Sequence, residues 1–272
     1  MKKILVLSYL LHVAYAGECI VSIDIGHTLQ QGGATSAHGV PEYRFNYIVA
    51  KQLNHTLRKE YGIKTYLINP SGENITLKGR LLENKENHAH LMVSIHHDSV
   101  KEKFLKTWTV KNKTCKYCDT FSGYSIFVSP KNKFFKKSLD VSSLVGESLI
   151  KQGFVPTLYH KLKIKGESKK MYDEKRGIYR YDNLVVLKGE TPSFLIEGGM
   201  IVNREEELSI SDPKRKKSFV RGISEGISSW CKKEGHFSKF NINPNKDKVK
   251  TKAIKRNMKI VKKELNFLDL ID

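Results

Sequence analysis

Short apolar runs and longer periodic stripes alternate along most of the chain. Runs at residues 20–25, 64–68, 91–96, 124–128 and 193–196 have the length and composition typical of strands. Between several of them, apolar residues recur at spacings of three and four, which is the period of one helix face. The alternation predicts an α/β fold, with a mostly parallel central sheet flanked by helices in a single domain.

Four segments carry the helical period. The first runs from Glu42 to Tyr61 and ends at Gly62, because glycine readily adopts the conformation that closes a helix. Residues 77–88 predict a second helix, and two later stripes predict a third helix closed by Gly153 and a last helix near residue 230. The apolar faces are Phe45, Val49, Leu53 and Leu57 in the first, Val141, Leu144, Val145 and Leu149 in the third, and Phe219, Ile223, Ile227 and Trp230 in the last.

Residues 97–122 interrupt this pattern with a polar insertion that is longer than most loops of compact domains, so we expect it to have a function. It contains Cys115 and Cys118, two of the four cysteines. No second C-x-x-C completes a zinc site, and the polar surroundings are not those of a redox motif at a helix start. We predict a local disulfide between Cys115 and Cys118.

The chain is strongly basic, with 48 Lys and Arg residues against 28 Asp and Glu, for a net charge of +20. Such a charge attracts polyanions, which include nucleic acid, anionic lipid and envelope polymers. Hydrophobic residues make up 39% of the chain, enough to form a core, so a wholly disordered protein is excluded.

The N-terminus narrows this choice of partner. Lys2 and Lys3 precede an apolar stretch at 4–13, and Ala14-Tyr15-Ala16 has the pattern that signal peptidase recognises. The stretch is shorter than the ~20 residues that span a bilayer. We predict a signal peptide at 1–16, with a buried N-terminal strand or helix as the alternative.

Export places the mature protein in the periplasm or at the cell surface, where nucleic acid is not an expected partner. The mature chain then consists of a catalytic domain at 17–236 and a basic C-terminal tail at 237–272.

Three candidate zinc ligands lie where predicted strands end or helices begin. His27 follows the first strand, Glu42 opens the first helix and His96 ends the third strand. Ligands of open parallel sheets bind beyond the carboxyl ends of the strands, so these side chains are expected to converge. Two histidines and one glutamate form a common catalytic zinc set that leaves a position for water.

Glu197 ends the last predicted strand and belongs at the same edge of the sheet. Zinc lowers the pKa of bound water to about 7 and polarises a carbonyl group. A carboxylate at this edge is placed to take the proton of that water and return it to a leaving amine. Each residue can also have a purely structural role. A histidine at the end of a strand is often only hydrogen-bonded, and a glutamate at the start of a helix interacts favourably with the helix dipole.

The order of these residues resembles that in zinc-dependent N-acetylmuramoyl-L-alanine amidases of type three, which separate daughter cells. The resemblance covers roughly residues 20–232 and departs from the family in the insertion after His96. Its motifs are Asp24-x-Gly26-His27, Glu42, Leu77-x-x-Arg80 with Asn87, Ser94-Ile95-His96 and Glu197-x-Gly199-x-x-x-Asn203.

The resemblance implies that His27, Glu42 and His96 hold Zn²⁺ and that Glu197 is the catalytic acid and base. It also implies cleavage of peptidoglycan or muropeptides between N-acetylmuramic acid and L-alanine. Two alternatives stay open, a zinc peptidase of related architecture and a non-catalytic envelope-binding protein. The motif set argues against the first, and the complete set of ligands with Glu197 argues against the second.

Asp24 and the other histidines carry smaller expectations. His97 should be structural or support a ligand, because adjacent strand residues point to opposite faces. Asp24 either orients the His27 ring or simply ends a strand. The remaining histidines are expected to be solvent or packing residues, and they are His38, His55, His88, His90, His160 and His236.

The topology also predicts a disulfide between Cys19 and Cys231. Cys19 precedes the first strand, at the end of the sheet away from the metal. The last helix should run back from the metal end and bring Cys231 to the same place.

The C-terminal tail combines many basic residues with an apolar stripe at Ile254, Met258, Val261, Leu265 and Leu268. This pattern is typical of a helix that lies on an anionic membrane or envelope polymer. There are two alternatives. The apolar stripe docks on the catalytic domain, or the tail is simply a charged segment exposed to solvent.

Overall fold

The computed structural model describes residues 18–236, which contain a central mixed sheet and one separate hairpin. The strands are β1 (Ile20–Ile25), β2 (Lys64–Ile68), β3 (Leu91–Asp98), β4 (Lys106–Val110), β5 (Lys113–Tyr117), β6 (Ser125–Val128), β7 (Met171–Asp173), β8 (Ile178–Arg180) and β9 (Ser193–Met200). The central sheet has seven strands in the order β2-β1-β3-β9-β6-β8-β7, and β4 and β5 form the hairpin.

The half of the sheet that carries the candidate site is parallel throughout. β1 lies between β2 and β3, and β9 lies beside β3, so the carboxyl ends of these strands meet at one edge. β6 runs antiparallel to β9, β8 is parallel to β6, and β7 is antiparallel to β8. The predicted α/β class with a mostly parallel sheet is therefore confirmed.

Helices cover both faces of this sheet. They are α1 (Glu42–Glu60), α2 (Leu77–Glu86), α3 (Phe135–Lys151), α4 (Arg204–Ser211) and α5 (Pro213–Lys233). The main core lies between the sheet and α1, α3 and α5, and a smaller cluster lies on the face that carries α2. Leu53 and Leu57 of the predicted stripe are fully buried in the main core, where each such side chain contributes about 1.5–3 kcal/mol.

The structure corrects the sequence analysis in its short and polar elements. The insertion at 97–122 is not a loop, because it contains the β4–β5 hairpin. Lysines and threonines occupy all exposed positions of its two strands, so these strands lack an apolar run. Lys111 and Asn112 form its turn with positive φ angles of 47° and 63°, a conformation in which Asn-Gly is the usual sequence signal. β7, β8 and α4 were also missed, because elements this short have too few residues to show a period.

Of the two predicted disulfides, the structure contains one. Cys19 and Cys231 are bonded, with their Cα atoms 6.0 Å apart and a sequence separation of 212. The prediction of a bridge between Cys115 and Cys118 is wrong, since both are free. Cys118 is buried in a small apolar cluster with Val100 and Met200, whereas Cys115 lies on β5 near Gly39. The two side chains therefore pack against different neighbours.

The predicted signal peptide at 1–16 and the tail at 237–272 lie outside the described residues. Within residues 18–236, no helix is both long enough and apolar enough to cross a bilayer.

The long loop closed by Cys19 and Cys231 predicts a clear stability effect. Replacement of both residues by serine should lower the free energy of unfolding by about 2–5 kcal/mol, because the cross-link restricts the unfolded chain. Urea denaturation measures the change, with Cys115→Ser as the control and an expected loss below about 1 kcal/mol. Peptide mapping without reductant should join the Cys19 and Cys231 peptides. A Cys19 peptide joined to Cys115 or Cys118 would contradict the pairing.

Candidate metal centre

The three predicted ligands meet around the carboxylate of Glu42 at the carboxyl end of the parallel strands. His27 Nε2 lies 2.9 Å from Glu42 Oε2, and His96 Nδ1 lies 3.0 Å from Glu42 Oε1. One donor atom from each of the three residues lies within 4.8 Å of the other two. Two imidazoles and a carboxylate at this spacing match the donor set of a catalytic zinc site. The residues present therefore fit the ion that the sequence predicts.

Glu42 is ionised at this place although it is buried. Burial by itself would raise its pKa, but the hydrogen bonds and charges of His27 and His96 outweigh burial and hold the pKa well below its usual value. Further hydrogen bonds to the carboxylate come from the backbone N–H groups of Ala34 and His97 and from the Asn46 amide. The anionic form of Glu42 is the one that can bind a cation.

Two glycines allow the cluster to close. A Cβ atom on Gly26 would lie 2.5 Å from the His96 ring. Gly33 has a φ of +78°, and a Cβ atom there would lie 2.5 Å from Glu42 Oε2. Any larger residue at either position would displace a proposed ligand.

His27 is held by its backbone as well as by its ring. It has a φ of 66°, a conformation that is uncommon outside glycine. The Arg80 guanidinium donates to the carbonyl oxygens of Ile25 and His27, at 2.5 and 2.7 Å. The same guanidinium binds Asp24 Oδ1 at 2.5 Å, and Asp24 Oδ2 accepts from Ser94 Oγ at 2.8 Å. Asp24 thus positions Arg80, and the alternative that it orients the His27 ring is wrong.

His96 and His97 point to opposite faces of β3, as strand geometry requires. His97 is buried against Phe45, and its Nδ1 lies 2.8 Å from Asn46 Oδ1. Burial lowers the pKa of His97 to about 4, so its ring is neutral at pH 7. Asn46 joins this ring to Glu42, which confirms that His97 supports the cluster through a neighbour.

Glu197 lies directly beside the cluster, because β9 pairs with β3 in the register that sets Glu197 opposite His96. Its Oε2 is buried and has no hydrogen-bond partner among the described residues. Burial raises the pKa of Glu197 well above the usual value, and the nearby Asp98 and Glu42 carboxylates raise it further. A carboxyl group with a raised pKa binds a proton more tightly than an ordinary glutamate, which suits it to proton transfer.

An open polar cleft of about 370 Å³ gives access to these groups, and Glu197 lines it together with the three proposed ligands. The outer wall comes from the start of the insertion, including Lys101 and Glu102. Asp98 also lines the cleft, and its Oδ2 lies 2.6 Å from Nε2 of His160. His160 is thus buried and paired with a residue of the cleft wall.

The loop that leads into Glu42 is attached to α4 and to the hairpin. Buried Glu207 accepts hydrogen bonds from Ser36 Oγ at 2.6 Å and from the His38 backbone N–H at 3.0 Å, and its Oε2 lies 2.7 Å from His38 Nδ1. Trp108 of β4 donates to the Ala37 carbonyl at 2.8 Å. The insertion therefore helps to fix the segment that carries a proposed ligand.

The sequence analysis did not single out Asn46, Glu207 or the Asp98–His160 pair. A usable signal existed for Asn46, which lies four residues after Glu42 and so on the same helix face. The other residues are brought together only by tertiary contacts across long sequence distances.

The family model described as N-acetylmuramoyl-L-alanine amidase matches residues 21–229. A protein of Buchnera aphidicola subsp. Baizongia pistaciae, described as a putative N-acetylmuramoyl-L-alanine amidase, is 27% identical over 79% of this chain and 95% of its own length.

Two solved structures share the fold. The N-acetylmuramyl-L-alanine amidase Ami1 of Mycobacterium smegmatis has a TM-score of 0.63 at 18% identity and covers 80% of this chain and 99% of its own. An N-acetylmuramoyl-L-alanine amidase of Clostridium difficile 630 has a TM-score of 0.60 at 24% identity and covers 79% of this chain and 98% of its own.

The contacts of Arg80 predict a positioning role that lysine cannot replace. Arg80→Lys keeps the charge but loses the planar fork that binds Asp24 and two carbonyl groups together. Because His27 is then held less firmly, we expect zinc affinity to fall about 10- to 100-fold. Competition with a chelating dye measures the affinity.

Arg58→Lys, on the exposed surface of α1, is the matched control and should leave zinc affinity unchanged. A lower melting temperature in Arg80→Lys together with unaltered zinc affinity would show that Arg80 serves folding alone.

Proposed function

The chain belongs to the N-acetylmuramoyl-L-alanine amidase family, and from this premise we propose that His27, Glu42 and His96 hold a zinc ion. The protein is a peptidoglycan amidase that cleaves the bond between N-acetylmuramic acid and L-alanine. The observation that carries the zinc proposal is the convergence of the three donors within 4.8 Å beside Glu197.

When bound, zinc supplies a Lewis acid that polarises the carbonyl of the scissile amide and acidifies water. Glu197 acts as the general base and then as the general acid. Its carboxylate takes a proton from the attacking water and returns it to the nitrogen of the leaving L-alanine. The raised pKa of Glu197 suits the second step, because a weaker acid holds its proton until the amine needs it.

The ligands are held by separate devices, so the site is prepared before substrate arrives. Arg80 holds the His27 backbone, and Asn46 and the His97 N–H hold the Glu42 carboxylate. The polar cleft above them suits a hydrated sugar and peptide. Since the cleft is open to solvent, a polymer can reach the site.

Mass spectrometry of peptidoglycan fragments after digestion tests the reaction. Free stem peptides that begin with L-alanine, and glycan strands with intact lactyl groups, are the expected products. Chelation should abolish their formation and added zinc should restore it. Fragments cut within the stem peptide would identify a peptidase instead.

We also propose that residues 1–16 direct export and that the basic tail at 237–272 binds anionic membrane or envelope polymer. Support comes from the charge pattern of the two segments and from a substrate that lies outside the cytoplasm. Attraction of the tail to a surface would raise the concentration of enzyme at the wall.

The assigned roles predict different outcomes for Glu197 and His27. Glu197→Gln should lower the turnover rate by at least about 10²-fold but keep zinc bound, because Glu197 is not a proposed ligand. His27→Ala should lose zinc and activity together. Turnover of muropeptide and zinc content by atomic absorption are the two measurements.

Glu205→Gln, an exposed position of α4, is the control for Glu197→Gln and should behave as the unaltered protein. Turnover of Glu197→Gln within a few-fold of normal would contradict the role of Glu197, whatever its zinc content.

Deletion of residues 240–272 tests the tail. The truncated protein should hydrolyse soluble muropeptides normally but sediment less with anionic vesicles or cell walls. Binding of the intact protein should weaken as salt rises, since charges are screened within about 8 Å at physiological ionic strength. Equal sedimentation of both proteins at low salt would exclude the surface role. Loss of folding in the truncated protein would instead indicate that the tail docks on the domain.

A further inference from the structure

A second, partly enclosed cavity of about 200 Å³ lies between the end of β3 and the first turn of α5. His97 and Gly198 form its inner wall, on the face of the sheet opposite the cluster. Among the described residues that line it, none is a proposed zinc ligand, and Glu197 is not present. The cavity is therefore separate from the catalytic cleft.

Lys216 is the residue that makes this cavity unusual. It lies in the first turn of α5, lines the cavity and is only 5% exposed. Its ammonium group has no hydrogen bond or ion pair within residues 18–236. Burial lowers the pKa of Lys216, and Asp212 offsets this only in part. The side chain is thus mostly buried and its ammonium group has no protein partner, so an anion in the cavity would complete the site.

The other charged groups of the cavity wall leave Lys216 available. Arg215 lies over the Phe154 ring, 3.6 Å from its centroid, and donates to the Gly153 carbonyl. The Glu206 carboxylate accepts from the backbone N–H groups of Gly123 and Met200, at 2.7 and 2.8 Å, and forms no ion pair with Lys216 in the described chain. With two cations and one carboxylate, the wall has a small positive excess.

Most of the remaining wall is apolar and includes Phe154, Val155 and Phe219. A dianion such as phosphate would face these side chains and Glu206 with one available ammonium group. The cavity is also smaller than the 300–1,000 Å³ of ordinary ligand pockets, which excludes a peptide segment. One available ammonium group, an apolar wall and a small volume together fit a ligand that has one negative charge and a short alkyl chain.

We propose that this cavity binds a small monocarboxylate, whose carboxylate accepts hydrogen bonds from Lys216 and whose alkyl chain packs against Phe154 and Phe219. The site is independent of the zinc proposal, because its wall shares no ligand with the cluster. His97 is the one residue that lines both the cavity and the catalytic cleft in the described chain.

Butyrate is a suitable probe, and isothermal titration of the purified protein measures its binding. We expect saturable binding with a Kd on the order of 1 mM, as suits a ligand of few atoms. Butyramide, which has the same shape without the charge, should not bind. Lys216→Met should weaken butyrate binding about 10- to 100-fold, the usual effect of losing a hydrogen bond to a charged group.

Two further variants locate the site. Lys217→Met removes the exposed neighbouring lysine on α5 and should leave binding unchanged. His27→Ala should also retain binding, which excludes a carboxylate bound to zinc.

Lys216→Met should melt at a higher temperature than the unaltered protein, because it removes an unpaired buried charge.

Equal binding of butyrate and butyramide, no saturable binding of butyrate, or full butyrate affinity in Lys216→Met would each overturn the proposal. Loss of binding in His27→Ala would assign the carboxylate to the metal centre instead. The comparison with butyramide uses the unaltered protein, so it decides the question even if a variant fails to fold.

Discussion

The buried carboxylate of Glu42 is the interaction on which the candidate centre depends. An anion in this position must be compensated, and the fold supplies donors from the ends of β1 and β3, from the preceding loop and from α1 itself. These segments are distant in sequence, so the carboxylate is stable only when the parallel strands are in register. The centre therefore forms only where the sheet has this register.

The sheet register has a second consequence on the neighbouring strand. Pairing of His96 with Glu197 brings a further carboxyl group beside Glu42, where its anionic form is opposed both by burial and by like charge. A shift of β9 by one residue would turn Glu197 to the other face, toward the main core. The difference between the low pKa of Glu42 and the high pKa of Glu197 thus follows from which of them has donors. One is suited to bind a cation and the other to carry a proton.

Sequence patterns predicted the buried elements well and the polar ones poorly. β1 and β2 have the predicted bounds, and β1, which lies inside the sheet, is buried at every position except the half-buried Ile20. The β4–β5 hairpin has exposed lysines and threonines, and it is held by tertiary contacts such as Trp108 with Ala37 and Arg204 over the Tyr117 ring. Those contacts leave no period in the sequence. The same limit applies to Cys115 and Cys118, whose spacing suggested a bridge although each is packed separately.

Within the site, the sequence predicted which groups converge but not what holds them. His27, Glu42, His96 and Glu197 share a position at strand or helix ends, and this position can be inferred from periodicity alone. Partners such as Asn46 and Arg80, by contrast, act through hydrogen bonds whose geometry appears only in the folded chain. Buried charge is informative here, because most buried charged side chains in residues 18–236 have hydrogen-bond partners, whereas Glu197 Oε2 and the Lys216 ammonium group have none. A buried charge without a partner lowers the stability of the fold, so stability alone does not explain why the residue is there. Such a charge is therefore more specific evidence of a bound ligand than residue type or spacing.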